Sequence, residues 1–353
     1  MNNRAFLNID GSFGEGGGAI LRLSSAFSVL YRRSINITNI RANRPKKGLR
    51  MQHLKGLLTL SELTNSHLSD CDVGSSTITF IPKTELKERV KVEISTAGSI
   101  GLLLQPIQIA CLGFTQPEHI EIFINGGGTF GKWAPSLNYL KQVTYKVFKN
   151  HGYNIEIEIL KHGFYPKGGA NVKCTLYPPK SKLKPIDLTE LGVIEKIQGD
   201  ICATNHLKSA NVGERIKKSI INQLKQVVDI EVNVSYGYVD SISPGVGLSL
   251  WAQSDTGAII STGTILGEKK LTSEQLGKRA AKELIKYLRN DIPVDNYLSD
   301  QIIPFMAFVK ESSRIKVLEI TNHTRTNLDL VKLFTNRDYK ILKKDDYFII
   351  EYS

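Results

Sequence analysis

The stretch FLNIDGSFGEGGGAILRLSSAFSVLYRRSINITNI, residues 6–40, contains a complete strand–loop–helix–strand unit. An alternating apolar run leads into a glycine-rich turn, and a longer apolar segment then leads to a second alternating run. The pattern returns at residues 90–124, more loosely at 121–160, and in shortened form at 316–353. Alternating strands and helices at this spacing predict an α/β (α+β) protein built from repeated βαβ-like units.

A break in this pattern falls at YPPKSKLKP, residues 177–185, where prolines and lysines replace the periodic hydrophobic residues. Residues 186–267 then show their own order of a strand, the basic helix NVGERIKKSIINQLKQV and several further strands. We therefore expect a small inserted α/β domain at 186–267. Residues 1–185 would form the first part of the main body, and residues 268–353 its C-terminal part.

The chain carries 46 Lys and Arg against 34 Asp and Glu, a formal net charge of +12 that attracts polyanions without identifying one. The run RANRPKKGLRMQHLKG, residues 41–56, has no acidic residue, whereas a solvated surface normally mixes both signs. Its polar and basic residues predict a site for phosphate groups: Arg41, Arg44, Lys46, Lys47, Arg50, Gln52, His53 and Lys55.

Other features of the sequence limit the class of protein to which the chain can belong. The four cysteines form no CxxC pair, which disfavours a zinc ribbon or a disulfide framework and favours a reducing, cytoplasmic location. The N-terminus has no apolar core of a signal peptide. The longest apolar run, residues 98–114, is interrupted by Gln105, Pro106 and Gln108 and is too short to span a bilayer. We therefore expect no association with a membrane.

Two glycine-rich stretches invite comparison with nucleotide-binding motifs, and neither fits. Gly14, Gly16 and Ala19 match a loose GxGxxA pattern, but arginines stand where a ribose-binding acid should follow the next strand. In GGTFGKW, Trp133 occupies the Ser/Thr position that a Walker A loop needs for magnesium. Glycines before a helix nevertheless let the backbone and the helix N-terminus approach an anion.

Glu15 and Gln105 each leave two interpretations open. A carboxylate beside a phosphate-binding loop would be repelled unless a divalent cation joined the two, so Glu15 indicates a nucleotide–metal site or else compensates a helix dipole. Gln105 lies in the apolar helix predicted at residues 98–113, where a buried amide needs partners. It satisfies a backbone group or faces a ligand.

The stretch EITNHTRTN, residues 319–327, places His323 between a predicted strand and a short amphipathic helix. Small polar residues on both sides compete to cap that helix: Thr321, Asn322, Thr324 and Thr326. From these residues alone, an imidazole that points into solvent is the more ordinary interpretation.

Six segments together resemble the RNA 3'-terminal phosphate cyclase family, and they occur in the order that the family has them. They are GEGGGAILR, RPKKGLRMQH, STAGSIGLLLQ, HGFYPKGGANV, YLSDQ and NHTRTN. The resemblance implies repeated α/β units like those of the enolpyruvyl transferases, with a small inserted domain. It also implies an ATP-dependent enzyme that converts an RNA 3'-phosphate into a 2',3'-cyclic phosphodiester with a divalent metal, Mg²⁺ or Mn²⁺.

The resemblance assigns expected roles to individual residues. His323 would be the nucleophile that accepts AMP, and Glu15 would hold the metal. Phosphates would be contacted by Arg22, Arg41, Arg44, Gln52 and His53. The ATP site would be lined by Gln105 and by Tyr297, Leu298, Ser299, Asp300 and Gln301, with Tyr297 stacked on adenine and Asp300 and Gln301 near the nucleophile. The substrate partner would be RNA with a 3'-phosphate, and no oligomeric state is indicated.

The sequence departs from the family pattern at Ala19, Phe130, Asn138 and Ala170. These departures bear on nucleotide preference and metal geometry and leave His323 in place. Two alternatives remain. A non-catalytic ribosome-assembly branch of the family would keep the fold and the basic surface, although retention of His323 and Glu15 argues against it. An enolpyruvyl transferase would share the architecture without a histidyl nucleophile.

Overall fold

The computed structural model of the protein describes residues 6–14, 16–335 and 337–353. Within these residues the strands form four sheets, and three of the sheets share one topology. In each of the three, the first two strands are parallel, and the spatial order is first, second, fourth, third. One helix follows the first strand and another follows the second. The predicted α/β architecture of repeated βαβ-like units is confirmed.

The first unit contains the stretch at residues 6–40. Its elements are β1 (Leu7–Asp10), α1 (Gly18–Leu30), β2 (Ile35–Thr38), α2 (Met51–Leu63), β3 (His67–Leu68) and β4 (Ile78–Ile81). Helix α1 is buried along most of its length because the apolar residues of AILRLSSAFSVL leave no broad polar face. It therefore packs between neighbours: its partners are α2, α3 and the last helix of the chain.

The second unit has the same order of elements with a longer first strand. It consists of β5 (Arg89–Ser99), α3 (Ile100–Ala110), β6 (Ile120–Gly128), α4 (Leu137–Tyr139), a π-helical turn (Leu140–Thr144), α5 (Tyr145–Asn150), β7 (Asn154–Lys161) and β8 (Asn171–Tyr177). Helix α3 begins two residues later than predicted, at the cap made by Ser99, and a 3₁₀ turn follows it.

The third unit is interrupted after its first strand, β9 (Asp187–Leu188). The interruption contains β10 (Ile194–Thr204), α6 (Val212–Leu224), β11 (Val232–Val239), β12 (Val246–Ser254), β13 (Ile259–Ser261), β14 (Ile265–Leu266) and α7 (Ser273–Arg289). The third unit then resumes with α8 (Asn296–Phe308), β15 (Ser313–Val317), α9 (Asn322–Phe334), β16 (Tyr339–Lys343) and β17 (Phe348–Tyr352).

Strands β10 to β14 form the fourth sheet, which we call the inserted sheet. They lie inside the range predicted for an inserted domain, whereas β9 pairs with β15 and α7 packs against α6. The division of the chain into domains stays a prediction.

Buried hydrophobic side chains form one continuous cluster that reaches from Ile9 in the first unit to Tyr352 in the third. Within it, α1 packs on α3 and α9, and α8 packs on α9. These four helices carry most of the residues singled out in the sequence, so the core itself brings the candidate site together. In the part of the chain that the structure describes, no helix has the length and apolar character needed to cross a bilayer.

Candidate active site

A cavity of about 420 Å³ lies where α1, α3, α8 and α9 meet. Six residues predicted from the sequence line it, although the first and the last of them, Arg22 and His323, are 301 positions apart in the chain. They are Arg22, Gln105, Tyr297, Asp300, Gln301 and His323. Trp133, Pro135, Gly263, Thr264, Glu268 and Arg279 complete much of the remaining wall.

The four helices present their N-terminal halves to this cavity. Ala19 and Arg22 belong to the start of α1, Leu102 to the start of α3, Asn296 to the start of α8 and His323 to the start of α9. The first N–H groups of a helix lack partners within the helix, and the helix dipole is positive at that end. The dipoles of four such ends favour a polyanion such as a triphosphate, although side chains already cap N–H groups of α3, α8 and α9.

His323 is the second residue of α9, where the sequence predicted a strand-to-helix joint. Thr321 makes the cap: its Oγ1 accepts a hydrogen bond from the Thr324 N–H at 2.9 Å. The imidazole of His323 is exposed and lines the cavity. The competition between polar residues for the cap is therefore resolved in favour of Thr321, and the histidine lies on the cavity side of the first turn.

Asp300 is held by the same helix turn. Its Oδ1 accepts hydrogen bonds from Thr321 Oγ1 at 3.1 Å and from Thr324 Oγ1 at 2.6 Å. Asn327 Nδ2 donates to the main-chain oxygen of Asp300 at 2.9 Å. These contacts fix α8 against α9, so that a carboxylate and an imidazole line one cavity.

Asp295 caps α8 and is fully buried. Its Oδ1 accepts from the N–H groups of Tyr297 and Leu298, and its Oδ2 accepts from the N–H and the hydroxyl of Ser261. Burial raises the pKa of this carboxyl to about 7, although these hydrogen bonds act in the opposite direction. Asp295 therefore joins the helix that carries Tyr297 and Asp300 to the inserted sheet.

Gln105 is 7% exposed, so its amide needs a partner, as the sequence indicated. Its Oε1 accepts a hydrogen bond from Arg22 Nε at 2.9 Å. The bond joins α3 to α1 and fixes the direction of a guanidinium that lines the cavity. Gln105 thus satisfies a side chain of the site rather than a backbone group.

A cluster of basic side chains surrounds the glycine turn that precedes α1. A Cβ at Gly17 would lie 3.0 Å from Arg44 Nη2, and a Cβ at Gly18 would overlap His53 Nε2 and approach Arg22 Nη1 to 2.9 Å. Glycine is therefore required for the backbone to pass so close to these groups. We call Arg22, Arg41, Arg44, Arg50 and His53 the arginine cluster.

Charges within the arginine cluster repel one another. Burial, followed by repulsion from Arg44 and Arg50, lowers the pKa of Arg41. Burial, followed by repulsion from Arg22, Arg41 and Arg50, lowers the pKa of His53 to about 3, so this imidazole is neutral at pH 7. Like charges held together in this way favour binding of an anion that offsets them. Arg50 was predicted only as a member of the basic run for phosphate groups, without a role of its own.

The cavity wall formed by the described residues does not include Arg41, Arg44, Gln52 or His53. His53 is 2% exposed, and its Nδ1 accepts from the Arg50 N–H at 3.3 Å. Leu298 and Ser299 are fully buried and support the wall from behind; Ser299 Oγ lies 3.2 Å from Thr324 Oγ1. The direct ligand contacts expected of these six residues stay predictions.

The predicted metal ligand, Glu15, lies outside the described residues. Among the residues that are described, no group of three or more His, Cys, Asp or Glu side chains is arranged to hold a metal ion. Mg²⁺ commonly takes only one or two carboxylates and completes its shell with substrate phosphates and water. The role of Glu15 as a metal ligand stays a prediction.

The rim of the cavity contains residues that the sequence analysis did not single out as ligands. The Ser136 N–H donates to Thr264 Oγ1 at 2.7 Å, and Lys132 Nζ lies 3.7 Å from Glu268 Oε1. The ring of Tyr297 packs on Gly263, where a Cβ would come within 2.6 Å of it. Segments distant in sequence thus meet at the rim. The sequence around Thr264 or Arg279 carries no local motif that indicates a place in the cavity wall.

Two departures from the family pattern join the second unit to the inserted sheet. The Phe130 ring stacks on Phe164 with centroids 5.1 Å apart, and Cys202 of β10 packs against the pair. Asn138 Nδ2 donates to the Asp200 carboxylate. Ala170 is buried, and Ala19 lies in the cavity wall. Phe130 and Asn138 therefore have packing and hydrogen-bonding roles outside the cavity wall.

The chain is similar to known proteins over nearly its whole length. Residues 13–341 match the family model described as RNA 3'-terminal phosphate cyclase. A protein of that name from Thermococcus gammatolerans is 39% identical over 341 residues, 95% of this chain and 94% of the relative. One from Pyrococcus abyssi is 38% identical over 95% of each chain, and one from Pyrobaculum aerophilum is 36% identical over 98% and 97%.

Proposed function

Because the chain belongs to the RNA 3'-terminal phosphate cyclase family, we propose that it converts an RNA 3'-phosphate into a 2',3'-cyclic phosphodiester at the expense of ATP. The observation that carries the proposal is the position of His323 on a cavity that is lined by residues from the N-terminal halves of four helices. Such a cavity favours a triphosphate, and His323 supplies a nucleophile beside it.

The proposed first step is attack of the His323 imidazole on the α-phosphorus of ATP. A P–N bond forms, the bond to the β-phosphate oxygen breaks, and pyrophosphate leaves with the electron pair. The product is a histidyl-AMP phosphoramidate, whose imidazole leaves readily once protonated. Arg22, held by Gln105, would contact the phosphates. Tyr297 would stack on the adenine, since its ring lines the cavity and packs on Gly263.

In the second step, an oxygen of the RNA 3'-phosphate attacks the phosphorus of histidyl-AMP and frees the imidazole. The RNA end is then joined to AMP through a pyrophosphate linkage. The neighbouring 2'-hydroxyl attacks the RNA phosphorus, AMP leaves, and the cyclic phosphodiester closes. The arginine cluster is the proposed site for the RNA 3'-phosphate, because it lies beside the cavity and shares Arg22 with it.

A divalent cation, Mg²⁺ or Mn²⁺, would neutralise charge on the phosphates of ATP, with Glu15 as its proposed protein ligand.

We also propose that the enzyme works in the reducing interior of the cell. All four cysteines are described, and all four carry free thiols: Cys71, Cys111, Cys174 and Cys202.

Incubation with labelled ATP in the absence of RNA tests the proposal. Label from the α-phosphate should become covalently attached, whereas label from the γ-phosphate should leave with pyrophosphate. His323→Ala should abolish attachment and keep the circular dichroism spectrum and the thermal midpoint of the wild-type protein. His151→Ala is the matched control, since this half-buried histidine of the second unit lies outside the cavity wall. Equal labelling of wild type and His323→Ala would remove His323 as the nucleophile.

A further inference from the structure

Trp133 stands at the mouth of the cavity and is 90% exposed. Its φ of +59° is in the left-handed region, which large side chains rarely adopt and which stores strain. Lys132 Nζ lies 4.9 Å from the centroid of the indole. An exposed indole beside a cation, at the rim of a cavity, has the composition of a surface on which nucleobases stack.

A ridge of basic side chains on α7 begins at the same rim. A surface groove of about 370 Å³ runs along this helix, and Arg279 lines both the groove and the cavity. Lys278 and Lys282 are four residues apart and therefore lie on one face of the helix, with Arg279 beside them. We call these three residues the α7 ridge.

Charge in the groove is unbalanced. Its side chains include four cations, the α7 ridge and Lys286, against one carboxylate, Glu283. Lys286 lies 3.8 Å from Glu319, but among the described residues no ion pair joins a member of the α7 ridge to an acidic side chain. The ridge is thus a positive surface continuous with the cavity.

The size of the cavity determines where an RNA strand can go. About 420 Å³ is near the lower end of the range for small-molecule sites, so it accommodates a nucleotide but no chain. Nucleotides 5' of the RNA end must therefore lie on the surface outside the cavity. The rim offers them an indole for a base and a row of cations for phosphates.

We propose that Trp133 stacks on a base near the 3' end of a single-stranded RNA substrate, while the α7 ridge contacts the phosphates that precede it. This inference rests on the proposed function for the identity of the substrate. Stacking and phosphate contacts are tolerant of sequence, so the surface would accept many RNA ends. Tyr297 would remain the partner of adenine, and Trp133 the partner of RNA.

Binding of a fluorescent single-stranded RNA of about 12 nucleotides with a 3'-phosphate, measured by anisotropy without ATP, tests the proposal. Trp133→Ala should weaken binding roughly tenfold, or about 1.4 kcal/mol, whereas Trp133→Phe should retain most of the affinity because a ring remains. Lys278→Gln with Lys282→Gln should reduce the slope of log Kd against log salt by about 1.4, since two phosphate contacts are lost. Lys217→Gln with Lys218→Gln, at a half-buried and an exposed position of α6, is the control and should leave both quantities unchanged.

Two further measurements separate the possible outcomes. If Trp133→Ala weakens ATP binding as much as RNA binding, the indole stacks on adenine and the proposal is wrong. If RNA binding is unaltered in both the Trp133→Ala and the Lys278/Lys282 variants, the strand leaves by another path and the proposal is also wrong. Failure of the proposed function would instead be seen as absence of α-label in the wild-type protein, because the anisotropy assay requires no adenylylation.

Discussion

Asp295→Asn provides a test of the buried network that positions α8. Burial raises the folded-state pKa of Asp295 to about 7, against an ordinary value of 3.8 in the unfolded chain. A carboxyl with a raised pKa binds its proton more tightly when folded, so its contribution to stability is complete below about pH 4 and is lost as the pH rises through 7. A shift of about 3 units corresponds to about 4 kcal/mol.

Asparagine cannot ionise, so the variant should not lose stability in this way as the pH rises. The amide has a separate cost, because its NH₂ group replaces an oxygen that accepts from the Ser261 N–H at 2.8 Å. An unsatisfied buried donor costs about 1–3 kcal/mol, and this term does not depend on pH. The variant should therefore be less stable than wild type at pH 4.5 and gain on it by about 3 kcal/mol between pH 4.5 and pH 8, because about 1 kcal/mol of the total is already lost at pH 4.5.

Thermal unfolding followed by circular dichroism at several pH values measures this difference. With about 2.1 cal/mol/K of unfolding entropy per residue, 3 kcal/mol in a chain of 353 residues corresponds to about 4 °C in the midpoint. Asp345→Asn, at an exposed position between β16 and β17, is the control and should follow wild type at every pH. The reasoning would be refuted if the difference in thermal midpoint between Asp295→Asn and wild type stayed constant between pH 4.5 and 8. Such a result would show that Asp295 does not titrate in this window.

Three further predictions follow from the site. Gly18→Ala should reduce adenylylation at least tenfold, because the added Cβ would overlap His53 and displace Arg22; a wild-type rate would show that the glycine turn tolerates a side chain. Glu15→Ala should impair adenylylation, with partial recovery at raised Mg²⁺ or Mn²⁺; full activity at low metal would make Glu15 a helix-end charge only. RNA whose terminal ribose lacks the 2'-hydroxyl should take AMP onto its 3'-phosphate and stop there, which a gel shift detects; release of AMP at the normal rate would exclude displacement by the neighbouring hydroxyl.

The repeated units could be read from the sequence because hydrophobic periodicity and glycine turns are local signals. The start of α3 was missed by two residues, since the cap geometry of Ser99 decides it. The loss of periodicity at residues 177–185 falls in the connection between the second and third units, whereas the interruption of the third unit follows β9 at Asp187–Leu188. Packing of α7 against α6 was not visible, because it depends on contacts between helices rather than on the pattern within either one.

The candidate site likewise contains residues that the sequence indicated and residues that it did not. Arg22, Gln105, Asp300 and His323 were predicted because each belongs to a distinctive short segment, and all four line the cavity. Trp133 and Arg279 were not proposed as ligands, since an exposed indole and a helical arginine have no local mark of function. The phosphate contact predicted for His53 stays a prediction: a basic run suggests phosphate contacts for all its members, but it does not show which side chains the fold buries.

The repeated topology explains why two histidines with similar surroundings in sequence differ in chemistry. His53 and His323 both lie in the first turn of the second helix of a unit, α2 and α9 respectively. In α2 the cap residue is Arg50, and the imidazole itself completes the capping arrangement; burial, assisted by the neighbouring arginines, lowers its pKa and keeps it neutral. In α9 the hydroxyl of Thr321 makes the cap, and the imidazole faces the cavity. A neutral histidine whose Nδ1 accepts from a backbone N–H carries its proton on Nε2, so neither ring nitrogen offers a lone pair to phosphorus while the cap is kept. Capping of α9 by the Thr321 hydroxyl therefore relieves the His323 imidazole of the capping role that His53 has in α2, as the proposed nucleophilic role requires.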